Sequence, residues 1–499
     1  MLADILAGLG LFINAYSLIA LFSGVIIGVV IGAIPGLSTV MAVAIVLPFT
    51  FTLPPVPAIL LLVGVYKGGM YGGSISAILI NTPGTPAASC TMLDGYPMAR
   101  AGKGRQALQM ALYASCFGDM VSNVALILFA AWLAQFALDF GAPELFTLVV
   151  FSLTIVAGVA GDHIIKGVIA AAIGLGLATV GTDLIAGTPR FAFDVTPLRG
   201  GISLVPVLIG LFALPEVLRM YMGLGEGQQS TAVLGRTSLA LREFFSHWRT
   251  LFRGSFIGVV LGVIPGLGAT PAAFLSYGEA RRKSRKPETF GKGNPEGVAA
   301  AEAGNSSVGG ATMIPLLSLG IPGDVITAVI LGAFMIHGLQ PGPLLFQSNI
   351  DVIYALFMGL IAGSLMLLII GRLAIPLLGR IIGVRRSLLL PGVLVLCVFG
   401  SYAINNSLLD VLTMFAMGVV GLVMIALRFP RAPLLIAFVL GPLLEDNFRQ
   451  SLLMSQGSYA IFFASPITWL FWSLTAMSLV GMIVTRIRMR RRTHASATE

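Results

Sequence analysis

Two stretches of this chain, 230 residues apart, are nearly the same interrupted helix. The first reads Gly24-Val-Ile-Ile-Gly28-Val-Val-Ile-Gly32-Ala-Ile-Pro35-Gly36-Leu37. The second reads Gly254-Ser-Phe-Ile-Gly258-Val-Val-Leu-Gly262-Val-Ile-Pro265-Gly266-Leu267. Every glycine, the proline and the final leucine align at that one offset. Each copy is an apolar run with glycine at every fourth position, halted by Pro-Gly. Proline removes a backbone donor and clashes with the preceding turn, so a helix does not pass through undisturbed. In a bilayer the freed N–H and C=O groups are tolerated only inside protein or beside a water-filled cavity. A chain that breaks the same helix twice must build an interior where those groups are met.

Composition places these breaks in a membrane. Hydrophobic residues make up 57% of the chain and charged residues 10%, against roughly 25% charged in soluble domains. Windows 352–371, 387–409 and 463–485 each exceed the ~18 apolar residues of a candidate span. The expected fold is an all-α integral membrane protein with roughly 10–14 transmembrane segments. No alternating strand pattern recurs, which argues against a β-barrel. The net charge of +9 comes largely from segments 100–105, 236–253, 281–292 and 486–492. The positive-inside rule places these in the cytoplasm, and nothing about them points to nucleic acid. Cys90, Cys116 and Cys397 lack paired spacing and read as small core residues. The N-terminus has no basic n-region or small-residue cleavage site and reads as a first membrane helix.

A second motif follows each first one. Gly72-Gly73-Ser74 leads to Asn81-Thr82-Pro83-Gly84-Thr85-Pro86. Gly309-Gly310-Ala311 leads to Leu319-Gly320-Ile321-Pro322-Gly323-Asp324, with a spacing two residues longer. The order recurs, so the chain contains an internal repeat. The basic loop follows the second Pro-Gly in copy one and precedes it in copy two. With basic loops in the cytoplasm, the copies point in opposite directions, as inverted-topology repeats with broken or re-entrant helices. The expected organisation is a first repeat over 1–218, a cytoplasmic linker over 219–253, a second repeat over 254–445, and a C-terminal helix with a basic tail over 446–499. Within the linker, 239–252 reads as an amphipathic interfacial helix.

Each Pro-Gly ends one half-helix and starts another. A half-helix N-terminus presents free N–H groups and about half a positive charge. Four such ends near mid-membrane form an anion site without a basic side chain. Paired interruptions in two halves of a chain are also the best sequence pointer to a secondary transporter's site. The candidate substrate-binding residues are therefore Pro35, Gly36, Leu37, Ser38 and Thr39; Asn81, Thr82, Pro83, Gly84 and Thr85; Pro265, Gly266, Leu267, Gly268 and Thr270; and Ser318, Gly320, Pro322 and Gly323. The plainer reading makes the Pro-Gly pairs kinks or turns between spans. The Gly24, Gly28 and Gly32 stripe is explained by close helix packing without any ligand. Valine at position 36 or 266 is expected to abolish function while leaving a folded protein.

Charges in apolar stretches cost about 2.5–3.5 kcal/mol each on insertion scales. Lys67, Asp119, Asp162, Asp183, Glu302 and Asp324 are such charges. Lys67, Asp119, Asn305 and Asp324 are candidates for coupling a cation. Asp162 and Asp183 read as helix ends in water, and His163 and His337 as interfacial. No metal-ligand spacing, nucleophile elbow, phosphate-cradling Gly-Lys-Ser/Thr or paired catalytic carboxylates occurs. That argues against an ATP-driven pump and against a membrane enzyme, and no cofactor is expected beyond a transported sodium ion or proton.

These residues resemble, along nearly the full length, the large membrane subunit of the tripartite tricarboxylate transporters (TctA-type). The resemblance is carried by the two Pro-Gly-Leu segments and by Tyr71-Gly72-Gly73-Ser74 through Ala87. It continues through Leu93-Asp94-Gly95-Tyr96-Pro97-Met98-Ala99, Pro315 to Gly323, Gly338-Leu339-Gln340-Pro341-Gly342-Pro343, Leu440 to Glu445 and Phe448-Arg449-Gln450-Ser451-Leu452. It implies a multi-pass protein of the bacterial inner membrane that imports organic carboxylates, coupled to sodium or protons. It also implies two partners: a small four-span membrane subunit and a periplasmic solute-binding protein. Three positions depart from the family pattern: Ser306 after Asn305, Asp324 after Ile321-Pro322-Gly323, and Ser465 before Pro466. Asp324 reads best as a cap on the following half-helix. The alternative is a channel or scaffold whose breaks only kink its helices.

Overall fold

A computed structural model describes residues 2–158, 164–183, 187–222, 234–235, 237–377 and 386–495. Asp162, His163 and most of 223–236 lie outside the described residues. The chain is helical almost throughout, and the sole β pairing among the described residues joins Gly181–Thr182 to Pro189–Arg190. Among the described residues, six helices are long and apolar enough to cross a membrane: Ala15–Ala33, Pro55–Ile80, Ala88–Ala137, Leu204–Tyr221, Ile350–Leu377 and Leu408–Ala426. Seven shorter apolar helices accompany them among the same residues. The protein is an all-α membrane protein.

After α1 (Leu2–Phe12) come α2 (Ala15–Ala33), α3 (Thr39–Val46), α4 (Pro55–Ile80), α5 (Ala88–Met98) and α6 (Gly104–Ala137). Next come α7 (Ala142–Gly158), α8 (Ile164–Ala178), α9 (Leu204–Leu208), α10 (Leu214–Tyr221) and α11 (Leu241–Ser246). After them come α12 (Trp248–Val263), α13 (Ala269–Lys283), α14 (Pro295–Ala311), α15 (Met313–Leu319) and α16 (Val325–Ile336). Two sequence windows are each interrupted by a turn. Window 387–409 is one helix, Arg386–Asn405, over all but its last residues, where Asn406 turns left-handed (φ +49°) and Ser407 caps the next helix. Segment 239–252 is not one interfacial helix: α11 ends at Ser246 and α12 begins at Trp248. Leu241, Phe245, Trp248 and Phe252 nevertheless stay exposed there.

α4 is the hub, buried from Val56 through Ile80. A helix apolar and buried on every side belongs at the centre of a bundle. α2 lies on it in close parallel contact. A Cβ on Gly24 would meet Leu61 O at 2.3 Å, one on Gly28 Val65 O at 2.3 Å, and one on Gly32 Gly72 Cα at 3.0 Å. The glycine stripe thus brings two backbones together, as small residues do in membranes. α12 packs on α14 through Gly254, Gly258 and Gly262 in the same way. Thr39 lies against Gly69, while α3 and the turn after it lead back to the start of α4. α2 and α3 therefore form a hairpin folded on α4. α12 and α13 form a second, closed by Ser276 Oγ donating to Gly254 O at 3.2 Å.

Three basic segments gather at one end. Arg105 N–H donates to Leu234 O at 2.6 Å and Gln106 donates to Glu243 at 2.8 Å. Gly293 and Asn294 N–H donate to Asp94 at 2.9 and 2.8 Å. The open ends of the α12–α13 hairpin, with Arg253 and Arg281–Lys283, lie here too. The three cysteines are free and buried, as expected of core residues.

Candidate functional site

The two Pro-Gly-Leu breaks have nearly the same backbone. The residue before a proline is pushed out of helical geometry. Ile34 accordingly sits at φ −82°, ψ 122° and Ile264 at φ −83°, ψ 115°. Gly36 and Gly266 take φ +88° and +86°. Leu37 N–H returns to Ile34 O at 3.2 Å and Leu267 N–H to Ile264 O at 3.4 Å. Pro then Gly with positive φ is the signature of a type II turn.

The second breaks match as well. α4 ends at Asn81 (φ +55°) and α15 at Gly320 (φ +71°), both left-handed. Thr82 N–H reaches back to Ser76 O at 3.5 Å, and Ile321 N–H to Pro315 O at 3.2 Å, six residues in each case. Counting from these caps pairs Pro83-Gly84 with Pro322-Gly323 and Thr85 with Asp324. It pairs Gly72 with Ala311 rather than with Gly309 or Gly310. The contacts agree: Gly32 faces Gly72, and a Cβ on Gly262 would meet Ala311 Cβ at 2.7 Å. The two-residue mismatch in the sequence spacing came from aligning the wrong glycines. Within each copy the two breaks touch. Gly84 N–H donates to Gly73 O at 3.1 Å, where Gly84 also abuts Gly32, and Gly266 N–H donates to Gly323 O at 2.7 Å.

The four half-helix N-termini differ in what they hold. Ser38 caps α3, and its own N–H and hydroxyl donate to Glu216 Oε2 at 3.2 and 2.9 Å. Asp324 caps α16 in a reciprocal box with Thr327: Thr327 N–H donates to Asp324 Oδ1 at 2.7 Å, and Tyr66 OH donates to Oδ2 at 2.8 Å. Thr85 is its counterpart, accepting from Ala88 N–H at 3.2 Å. Gly268 begins α13 with no side-chain cap and open space around its Cβ position. Two of the four ends thus already carry a protein carboxylate: Asp324, as its capping reading anticipated, and Glu216 at Ser38.

The remaining candidates fall as follows. Lys67 and Asp119 are buried and pair at 2.5 Å. Asn305 is buried with its Nδ2 unpartnered, and Thr39 Oγ1 is likewise unpartnered. Ser318 donates to Ile314 O at 2.5 Å and Thr82 to Ile80 O at 3.3 Å, so both hydroxyls serve their own chain. Thr270 and Leu267 are half-buried beside the α13 start. Pro35 and Leu37 are buried, while Gly36 and Asn81 are exposed. Among the described residues, no hydrogen bond joins the first pair of breaks directly to the second; Tyr66 to Asp324 is the link from α4.

Two features escaped the sequence reading. Glu216 reaches Ser38 from 178 residues away. Asp183, read as a solvated helix end, is buried and pairs with Arg449 at 2.7 Å and Arg190 at 3.7 Å, while Glu445 takes Arg190 at 2.6 Å. This network lines a cavity of about 450 Å³ that Arg199, Asp446 and Met335 also border. Met335 lies near the end of α16, the helix that packs against the turn at Leu47–Thr52, so the cavity lies away from the basic segments.

The sequence matches the family described as Tripartite tricarboxylate transporter TctA family over residues 18–436. An uncharacterized 52.8 kDa protein in the TAR-I ttuC' 3' region of Agrobacterium vitis is 37% identical over 467 residues, covering 93% of this chain and 92% of that one. An uncharacterized protein in the TAR-II ttuC' 3' region of the same organism is 37% identical over 238 residues, covering 47% of this chain and 97% of that one. No solved structure matches.

Proposed function

The chain belongs to the tripartite tricarboxylate transporter TctA family, and from that premise we propose that it is the large permease subunit of an ion-coupled importer of organic carboxylates. The observation that carries the reading is the geometric match of two pairs of helix breaks. Of the four half-helix starts, the one at Gly268, Ala269 and Thr270 has no side-chain cap, open space where a Cβ on Gly268 would stand, and only partial burial. That end receives a substrate carboxylate through backbone N–H groups and the Thr270 hydroxyl.

The reading includes inverted repeats. α4 runs antiparallel to α6, since Lys67 meets Asp119 and Tyr71 meets Leu108. α14 runs parallel to α6, since Glu302 meets Ser115 and Gly310 lies beside Ser122. Equivalent helices of the two copies therefore oppose one another, which supports inversion. The basic end faces the cytoplasm of a bacterial inner membrane. A small four-span subunit and a periplasmic binding protein complete the system. A sodium ion or proton binds the two access states unequally and so drives import.

The test is uptake of labelled di- and tricarboxylates into proteoliposomes holding the chain and its two partners. Saturable uptake that needs an ion gradient, weakened by Thr270→Val, supports the reading. Flux that neither saturates nor needs a gradient supports a channel instead.

A further inference from the structure

Glu302 is fully buried in α14, and among the described residues no Lys, Arg or His pairs with it. Its partners are all neutral: three hydroxyls donate to it, and the Asn305 side chain, one turn along α14, also lies beside the carboxylate. Ser74 of α4 donates to Oε1 at 2.5 Å, Thr91 of α5 donates to the same oxygen, and Ser115 of α6 donates to Oε2 at 2.6 Å. All three are themselves at most 1% exposed. The carboxylate comes from the second repeat and its three hydroxyl partners from the first.

An ionised carboxylate with only neutral partners is costly to bury, because hydrogen bonds offset the lost hydration only in part. Hydroxyls have one property that the usual partners of a buried acid lack. Lys and Arg only donate, whereas Ser and Thr both donate and accept. When Glu302 takes a proton, its new O–H needs an acceptor, and a hydroxyl rotor supplies one without movement of any heavy atom. The cage therefore satisfies both protonation states. The donor and acceptor oxygens stand at hydrogen-bond separation, the spacing across which a proton is shared.

The other titratable groups around the cage are accounted for. On α4, Tyr71 faces Glu302, and Lys67 is paired with Asp119. On α5, Cys90 faces it, and Asp94 is held by Tyr277 of α13 at 2.8 Å and by two backbone N–H groups. On α6, Tyr113 and Cys116 flank Ser115, and Asp119 is the partner of Lys67. On α14 itself, Glu296 accepts from Thr250 and Ser284. None supplies Glu302 with a counter-charge.

We propose that Glu302 is the site that takes up the coupling proton, held in both protonation states by Ser74, Thr91 and Ser115. The proposal rests on the transporter reading above and specifies its ion. Protonation at a contact between the two copies gives one access state a different proton affinity from the other, which is what coupling requires.

The direct test is infrared difference spectroscopy of the full chain in lipid, stepping pH from 8 to 5 with and without sodium chloride. A protonated-carboxyl band should grow on acidification, be insensitive to sodium, and be lost in Glu302→Gln. Because that variant could fail to fold, Ser115→Ala is the second arm. Removing a donor to the ionised form should move the band's midpoint up by roughly one pH unit. A band that persists in Glu302→Gln, a midpoint unmoved in Ser115→Ala, or a carboxylate signal that responds to sodium rather than to pH overturns the proposal. Uptake separates the two readings. If wild type transports no carboxylate yet the band titrates and depends on Glu302, the transporter reading fails while the proton site stands. If pH-driven uptake survives in Glu302→Gln, the proton site fails and the transporter reading stands.

Discussion

Lys67 Nζ lies 2.5 Å from Asp119 Oδ2, with both side chains 5% exposed. Ser364 Oγ donates to the same carboxylate oxygen at 2.5 Å, and Asn123 Nδ2 donates to Ser364 at 2.9 Å. Two charges read separately as cation-coupling candidates are thus one neutral unit that ties α4 to α6. Removing one partner leaves an unpaired buried charge, at a cost of about 3–5 kcal/mol. Lys67→Met and Asp119→Leu should each lower thermal stability sharply, while the double variant recovers much of the loss. Unfolding of the four proteins in one detergent checks this, and strict additivity would count against the pairing.

Gly36 and Gly266 share a left-handed backbone but not their surroundings. Alanine at either should cost roughly 1–2 kcal/mol through the backbone alone. A Cβ at 266 would also lie 2.8 Å from Val156 Cα, whereas one at 36 meets only the flexible Met220 side chain at 3.4 Å. Gly266→Ala should therefore melt well below Gly36→Ala. The same geometry corrects the expectation that valine at either position leaves the fold intact, because a β-branched residue at positive φ is strained.

Asp324 is a helix cap before it is anything else. Asp324→Asn keeps an acceptor for Thr327 N–H and should be nearly neutral in stability, whereas Asp324→Ala should lose about 0.5–2 kcal/mol. If both variants melt like wild type, the capping box contributes nothing.

His247 begins α12 at the basic end, where burial lowers its pKa below the ordinary 6.5 despite the nearby Glu243 and Glu296. The folded state holds it neutral, so the unfolded chain binds the proton first as pH falls. Its contribution to stability is present above about 6.5 and is lost on acidification below that. Thermal stability compared at pH 7.5 and 5.5 should fall less in His247→Asn than in wild type.

How much of this was legible in the sequence varied with distance along the chain. The Pro-Gly corners were legible, because proline and a positive-φ glycine dictate a turn locally and the duplication marks it as built. The stripe of Gly24, Gly28 and Gly32 was legible as packing, since its period is that of a helix. The second motif misled by two residues. Gly309-Gly310 looked like Gly72-Gly73, but the close contact is made by Gly72 in one copy and Ala311 in the other. Side-chain pairing across the fold left no local trace. Glu216 on Ser38, Lys67 with Asp119, and Arg449 with Asp183 join residues 52 to 266 positions apart. Glu302 was visible as a buried charge, yet its hydroxyl cage drew on three other helices that no spacing rule connects.

The orientation of the copies is open to labelling. Lys103 and Gln340 are both exposed, on segments that the inverted arrangement puts on opposite faces. Single cysteines there, in a chain lacking the three native ones, should react with an impermeant maleimide from opposite sides of the membrane. Reaction of both from one side would refute the inversion.

The most direct measurement is the position of a bound carboxylate in an experimental density map of the full chain in lipid with saturating tricarboxylate. The account predicts density at the start of α13, within hydrogen-bond reach of the backbone N–H groups at Gly268 to Thr270. Density in the cavity between Arg190 and Arg449, with the α13 start left bare, would contradict it.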